Sequence, residues 1–265
     1  MSENEKDVVP ARDKSIRAQA PVGISQEGLQ LLIEARTRLI RWLLVLFVIL
    51  AAFVYYANDL YTLLATPLLN FLPEKHLIAT QIVSPFFVPF RLAFTLSLIM
   101  SMPVLLYQIW AFISPALYGH ERRMIWPFLF LSTALFYLGL AFAYFVIFPM
   151  LFRFLAHTAP AGVVLSPDIG EYLDFTLKLL LTFGALFEIP IVMVVLALLG
   201  VVTRAKFIKM RRYAIVGAFV VGMLLAPPDV MSQIILSIPV WLLYELGIVM
   251  TRFVAVVPAK VGNEV

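Results

Sequence analysis

LDFTLKLLLTFGALFEIPIVMVVLALLGVV, residues 173–202, is the stretch whose reading decides the fold. As a helix it would be about 45 Å long, more than enough to cross the roughly 30 Å hydrocarbon layer of a bilayer. Apart from Asp174, Lys178 and Glu188 it carries no charge, so it has no polar face to turn toward water. Three further apolar stretches reach spanning length: residues 39–57, 92–112 and 125–152. Two shorter ones, 213–225 and 230–250, come after it, with Ala226-Pro227-Pro228-Asp229 between them. The reading is an all-α, polytopic membrane protein with six spans in a concave bundle, the last two short. The first of the short pair provides only about 20 Å of helix, which implies a locally thinned bilayer or shelter behind longer neighbours.

Composition agrees with this reading. The chain is 62% hydrophobic and 14% charged, against roughly 45–50% and 25% for soluble domains, so a water-soluble core cannot hide its hydrocarbon. With no cysteine, disulfides, zinc-thiolate sites and redox thiols are excluded. A net charge of +4 spread over loops argues against nucleic-acid binding. Residues 1–28 lack the apolar centre of a cleavable signal peptide and read as a disordered tail. Residues 29–252 form the membrane domain and 253–265 a second tail.

The distribution of Lys and Arg orients the chain. Lys6, Arg12, Lys14, Arg17, Arg36, Arg38, Arg122, Arg123, Arg204, Lys206, Lys209, Arg211, Arg212, Arg252 and Lys260 fall on one side, against Lys75 and Arg153 on the other. The basic side is expected to be cytoplasmic, with both termini there. Prolines gather in the opposite connections, Pro67, Pro227 and Pro228 among them, and should stiffen those loops. Pro103, Pro190 and Pro239 fall inside spans, where each removes a helical hydrogen bond and should bend its helix. The two halves of the chain show no repeat, which weighs against an inverted-repeat transporter.

Few residues could carry chemistry. Glu188 lies deep in its span, where an ionised carboxylate costs several kcal/mol. It must be protonated, face a wet cavity, or have a polar partner on another helix, for which Gln233 is a candidate. Lys178, ten residues away, cannot reach it and is expected to pair with Asp174 four residues earlier. Glu34 precedes the first span on an amphipathic segment with Leu29, Leu32, Ile33 and Ile40 on one face, and a pair with Arg38 is the simplest reading. Glu121 lies in the connection Ser114-Pro-Ala-Leu-Tyr-Gly-His-Glu-Arg-Arg123. Asp229 stands where it can cap the last helix. His120 has no second ligand at metal spacing, so no metal site is expected. Phosphate loops and catalytic triads are absent, and no enzyme activity or cofactor is expected.

Several long motifs together resemble those of the TatC family, the multi-spanning subunit of the twin-arginine protein translocase. They are Ser84-Pro85-Phe86-Phe87, Tyr107-Gln-Ile-Trp-Ala-Phe-Ile-Ser-Pro-Ala-Leu-Tyr-Gly-His-Glu-Arg-Arg123, Ala141-Phe-Ala-Tyr-Phe145, Phe187-Glu188-Ile-Pro190, Gly217-Ala-Phe-Val-Val-Gly-Met-Leu-Leu225 and Pro227-Pro-Asp229. The resemblance covers the chain from Leu31 to Arg252 and implies a receptor in a bacterial inner membrane. Such a receptor binds the Arg-Arg signal peptide of folded precursors and recruits single-span TatA and TatB partners for export driven by the protonmotive force. It implies that Glu34, Arg36, Phe112 and Glu121 bind the signal peptide. Glu188, Met223, Leu224 and Gln233 would serve partner helices and intramembrane polarity, while Pro67, Phe86 and Asp229 would shape the outer side. A homo-oligomeric receptor complex within the lipid bilayer is implied as well. One departure is Ala226, where the family commonly has Thr beside the polar residue corresponding to Gln233. The reading from a different class is a proton-coupled small-solute transporter using Glu188, and a passive scaffold is a third.

Overall fold

The computed structural model describes residues 26–57, 59, 84–113, 125–158, 168–225 and 229–253. Its helices are α1 (Gln26–Tyr55), α2 (Ser84–Ile113), α3 (Ile125–Phe142), α4 (Phe148–Thr158), α5 (Ile169–Leu186), α6 (Ile189–Leu198), α7 (Arg204–Lys209), α8 (Arg211–Leu225) and α9 (Val230–Met250). A π-helical stretch, Ala143–Ile147, joins α3 to α4. Among the described residues, five segments are long and apolar enough to cross a membrane: Leu29–Tyr55, Phe86–Ile113, Trp126–Phe154, Gly170–Leu198 and Val230–Met250. The fold is all-α and polytopic, as expected. Of the six expected spans, the one corresponding to α8 is not among these five, because its 15 residues give only about 22 Å.

Helices start earlier than hydropathy alone suggests. The first begins at Gln26 in place of residue 39, taking in the amphipathic segment and the end of the stretch assigned to the tail; the second begins at Ser84 in place of 92. Local chemistry fixes several ends. Asp168 accepts the backbone N–H groups of Gly170 and Glu171 at 2.7 and 3.2 Å, and Asp229 accepts that of Ser232 at 2.7 Å, so both act as N-caps. After α6, Gly200 takes a left-handed φ of 70°. The Val201 and Gly200 N–H groups then return to the carbonyls of Leu196 and Ala197, the Schellman arrangement in which glycine ends a helix without strain.

Of the three prolines expected to bend their spans, only Pro190 divides a helix. Pro190 stands in the first turn of α6, and just before it the Glu188 N–H turns to the Ala185 carbonyl, three residues back, at 3.1 Å. Through Pro103 and Pro239 the helices α2 and α9 continue. The π-helical stretch has a different purpose. Along α3 the side facing the bundle is Phe128, Ser132, Phe136, Gly139 and Ala143; an uninterrupted α-helix would carry it on to Val146 and Met150. Those two are exposed, and Ile147, Phe148 and Leu151 are buried. One extra residue in a wide turn has advanced the buried stripe by one position.

The centre is built from α2, α3, α5 and α6. Ile99, Leu106 and Trp110 of α2 meet Phe128 and Phe136 of α3 and Ile191, Val194, Val195 and Leu198 of α6. Beyond the wide turn, Phe148 and Leu151 join Tyr172, Leu179 and Phe183 of α5, Leu225 and Leu236. α1 packs chiefly on α2 and α8 chiefly on α9, so these two helices stand at opposite flanks. Leu46 is the only buried side chain described in α1, whose grip on α2 includes a hydrogen bond from Trp42 Nε1 to Ser101 Oγ at 3.1 Å.

Candidate functional site

Helix alternation brings the start of α1, the end of α2, the start of α3 and the α6–α7–α8 corner to one end of the bundle. Trp110 stacks on Phe128 at 5.4 Å and 16°, which holds the end of α2 beside the start of α3. Glu121 belongs to the connection between them, residues 114–124, outside the described residues. On α1, Glu34 Oε1 accepts two hydrogen bonds from Arg38, from Nε at 3.0 Å and Nη2 at 2.5 Å. The same Nη2 donates to the Ala111 carbonyl at 3.2 Å. That carbonyl lies in the last turn of α2, where carbonyls lack helical donors and the helix dipole favours a cation. Arg38 thereby ties Glu34 to the end of α2, next to the exposed ring of Phe112. Arg36 is also exposed but lies about 200° around the helix from Glu34, away from this junction.

The same end is strongly basic. Arg204, Lys206, Lys209, Arg211 and Arg212 occupy α7 and the first turn of α8. Arg211 pairs with Glu245 of α9 at 2.7 Å, and Tyr244 donates its hydroxyl to the Phe207 carbonyl at 2.8 Å. These two contacts close the α7–α8 corner on α9. A half-exposed carboxylate at the rim of such an end is a natural receptor for a guanidinium.

Glu188 occupies the break between α5 and α6. Its Oε2 accepts from Ser132 Oγ at 2.5 Å, and Oε1 is buried with no hydrogen-bond partner among the described residues. The partner on another helix is therefore Ser132 of α3, not Gln233. Gln233 instead donates its amide to the Phe219 carbonyl of α8 at 3.1 Å. Close approach explains the pairing. A Cβ at Gly139 would lie 2.6 Å from the Phe183 carbonyl oxygen, and one at Gly184 would lie 2.7 Å from the Phe136 ring. With α3 and α5 that near, a side chain as short as serine reaches the carboxylate. The expected Lys178–Asp174 pair is also corrected. Asp174 binds Arg91 of α2 at 2.5 Å, and Lys178 donates to the Leu224 carbonyl at the end of α8 at 2.6 Å.

α8 and α9 form a tight hairpin. Gly222 faces Ser237 Oγ and the Gln233 carbonyl, which a Cβ would approach to 2.6 and 2.9 Å, and Ser237 donates within hydrogen-bond range of the Ala218 and Gln233 carbonyls. Opposite that seam, Met223 and Leu224 are exposed at 60% and 61%, facing away from the bundle. Phe86, at the start of α2, is exposed and packs with Phe87 and Phe90 at ring distances of 5.3 and 5.2 Å. Pro67 lies outside the described residues. Asp229 is the N-cap of α9. No cluster of potential metal ligands occurs among the described residues.

Sequence reasoning missed Ser132, Arg91 and the role of Arg38 as a bridge between helices. A signal existed for the first: the small residues Ser132, Gly139 and Ala143 recur at helical spacing on one face, a pattern that marks close approach in membrane bundles.

Comparison with known proteins adds a consistent set of likenesses. A family model described as Sec-independent protein translocase protein (TatC) matches residues 30–239. The chain is 52% identical over 223 residues to the Sec-independent protein translocase protein TatC of Escherichia coli, covering 84% of this chain and 86% of that protein. It is 49% identical over 230 residues to the Haemophilus influenzae protein of the same name, covering 86% and 90%. The Aquifex aeolicus protein is 40% identical over 196 residues, covering 73% and 81%. A crystal structure of a twin-arginine translocase receptor, TatC, superposes with a TM-score of 0.77 at 38% identity, covering 84% of this chain and 98% of that one.

Proposed function

This chain belongs to the TatC family of Sec-independent protein translocase proteins, and on that premise we propose that it is the receptor subunit for twin-arginine signal peptides. It is a membrane-embedded component of protein transport and not a catalyst. In the proposed arrangement it lies in a bacterial inner membrane with the basic end and both termini in the cytoplasm, consistent with the side on which its Lys and Arg residues gather. The consecutive arginines of a precursor pair with Glu34 and Glu121 at that end, beside Phe112 and with Arg36 on the adjoining surface. The apolar part of the signal then runs along the bundle inward.

The observation that carries this reading is Glu34: a half-exposed carboxylate fixed at the junction of α1 and α2, offering one oxygen that no described residue occupies. A guanidinium fits it through paired, charge-assisted hydrogen bonds. Single-span TatA and TatB partners dock on the outward side of α8 at Met223 and Leu224, near the polar seam of Gln233, and copies of this chain assemble within that complex. Pro67, Phe86 and Asp229 shape the opposite end. Glu188, held by Ser132, gives the bundle a polar point at depth that a partner helix can approach.

Site-specific crosslinking of a twin-arginine precursor in native membranes tests the site. Glu121→Lys should abolish crosslinking while the protein still inserts and folds. Undiminished crosslinking in that variant would overturn the assignment.

A further inference from the structure

We infer that the corner between α6 and α8 is a binding site for anionic phospholipid headgroups, held by Lys206, Lys209 and Arg212. The corner, residues 199–210, joins the end of α6 at Leu198 to the start of α8 at Arg211, so it lies at the membrane surface, where one span leaves the hydrocarbon and the next returns. Phe207 is buried and its carbonyl accepts from the Tyr244 hydroxyl at 2.8 Å, which fixes how α7 is turned. Lys206 and Lys209 lie about 100° and 160° around the helix from Phe207, and both are exposed, as is Arg212 at the start of α8. Arg211 is committed to Glu245, whereas Lys206, Lys209 and Arg212 meet no carboxylate among the described residues. Three uncompensated cations on one short stretch make an anion receptor by charge.

The side chains between the cations identify the anion as a lipid. Val201, Ile208, Met210 and Tyr213 are exposed among them, and the Arg212 guanidinium lies 4.9 Å from the centre of the Tyr213 ring. A free phosphate or an acidic peptide satisfies the charges and leaves that apolar surface in water, which is unfavourable. A phospholipid meets both needs: its phosphodiester oxygens accept charge-assisted hydrogen bonds from ammonium and guanidinium groups, and its acyl chains cover the apolar side chains. Lys and Arg suit this boundary because their stems lie along hydrocarbon while their heads reach the headgroups. The lipid is anionic because a zwitterionic headgroup carries a cation of its own, and each Lys or Arg held at the surface is worth about fivefold in preference for a negative lipid. The opposite end of the bundle provides the contrast, since Arg91 is already neutralised by Asp174 at 2.5 Å.

The experiment exploits the absence of cysteine from the chain. Ile208→Cys places a single fluorophore at the corner of the full-length protein in phosphatidylcholine nanodiscs, and trace acyl-chain-labelled phosphatidylglycerol or phosphatidylcholine serves as the energy acceptor. At low salt, phosphatidylglycerol should be enriched about five- to tenfold over phosphatidylcholine around the label. Combining Lys206→Gln, Lys209→Gln and Arg212→Gln should remove the enrichment; Lys209→Gln alone should lower it part way and stands in should the triple variant fail to insert. A label at Phe90→Cys, beside the neutralised Arg91, should report much less enrichment, and inorganic phosphate at matched ionic strength should leave the corner's enrichment in place. Equal transfer from the two lipids, equal enrichment at both label positions, or enrichment that survives every substitution would overturn the site. Loss of enrichment in inorganic phosphate would make it a general anion site and also overturn the inference. So would a polyglutamate peptide that binds through the same three cations while phosphatidylglycerol is not enriched, which would assign the corner to an acidic protein.

Discussion

Substituting Gly139 by alanine puts a methyl group where α3 and α5 leave no room. Its Cβ would lie 2.6 Å from the Phe183 carbonyl oxygen and 2.9 and 3.0 Å from Cγ and Cβ of Phe187, whereas carbon contacts are comfortable near 3.5–4.0 Å. The nearest obstacle is backbone, which cannot rotate aside, so the helices must separate. Alanine by itself would favour the helix by up to about 1 kcal/mol over glycine, but overpacking costs about 1–3 kcal/mol. Separation also stretches the Ser132–Glu188 bond, and interhelical hydrogen bonds in membranes average about 0.6 kcal/mol. The net expectation is a destabilisation of about 1–2 kcal/mol. Gly217→Ala is the matched control, since nothing lies within 4 Å of a Cβ there, and it should be stabilising by up to about 1 kcal/mol. Thermal unfolding of both variants in one detergent, monitored by circular dichroism, measures the difference. A melting midpoint for Gly139→Ala equal to or above that of Gly217→Ala would refute the close-packing argument.

Ser132→Ala removes the donor from Glu188 Oε2 while Oε1 is already without one; it should lower stability by about 0.6–1.7 kcal/mol in the same melting assay, with Ser132→Thr restoring much of the loss. Lys178→Met removes the cation from the last turn of α8, worth about 0.3–1 kcal/mol at a helix terminus, and should appear as faster amide hydrogen exchange over the final turn of α8 and little elsewhere.

The fold class was legible because hydrophobic content and span length are properties of the chain itself, independent of its neighbours. Helix starts were less so. Arg91 looks like a boundary in a hydropathy reading, yet it sits inside α2 because Asp174 on α5 neutralises it. The same cross-helix contact explains why Asp174 did not pair with Lys178: proximity along one helix is visible in sequence, and a competitor on another helix is not. Glu34 and Arg38, four residues apart, were readable as a pair for the same reason, while the Ala111 contact that makes the pair a junction was not. For Glu188, the need for a polar partner was legible and its identity was not, because a serine hydroxyl acquires importance only where two glycines bring the helices together. The wide turn at Ala143–Ile147 carries neither proline nor glycine, so nothing in its composition announces it.

That turn makes the long third segment sensitive to residue count. Each residue added to an α-helix rotates the remainder of the helix by about 100°, and the stripe that packs Phe136 at one end and Phe148 at the other is continuous only because a single residue has been absorbed between them. Losing one residue from Ala143–Ile147 would let the segment run on as a regular α-helix with Phe148 and Leu151 still inward, whereas straightening the turn at constant length would swing Val146 and Met150 in and carry Phe148 and Leu151 out toward lipid. Gaining or losing one anywhere else in the segment would recreate the misfit that the turn now removes. A single deletion is therefore tolerable within the turn, and elsewhere in the segment only with a compensating change, so the far half of this helix is specified by arithmetic as much as by side-chain chemistry.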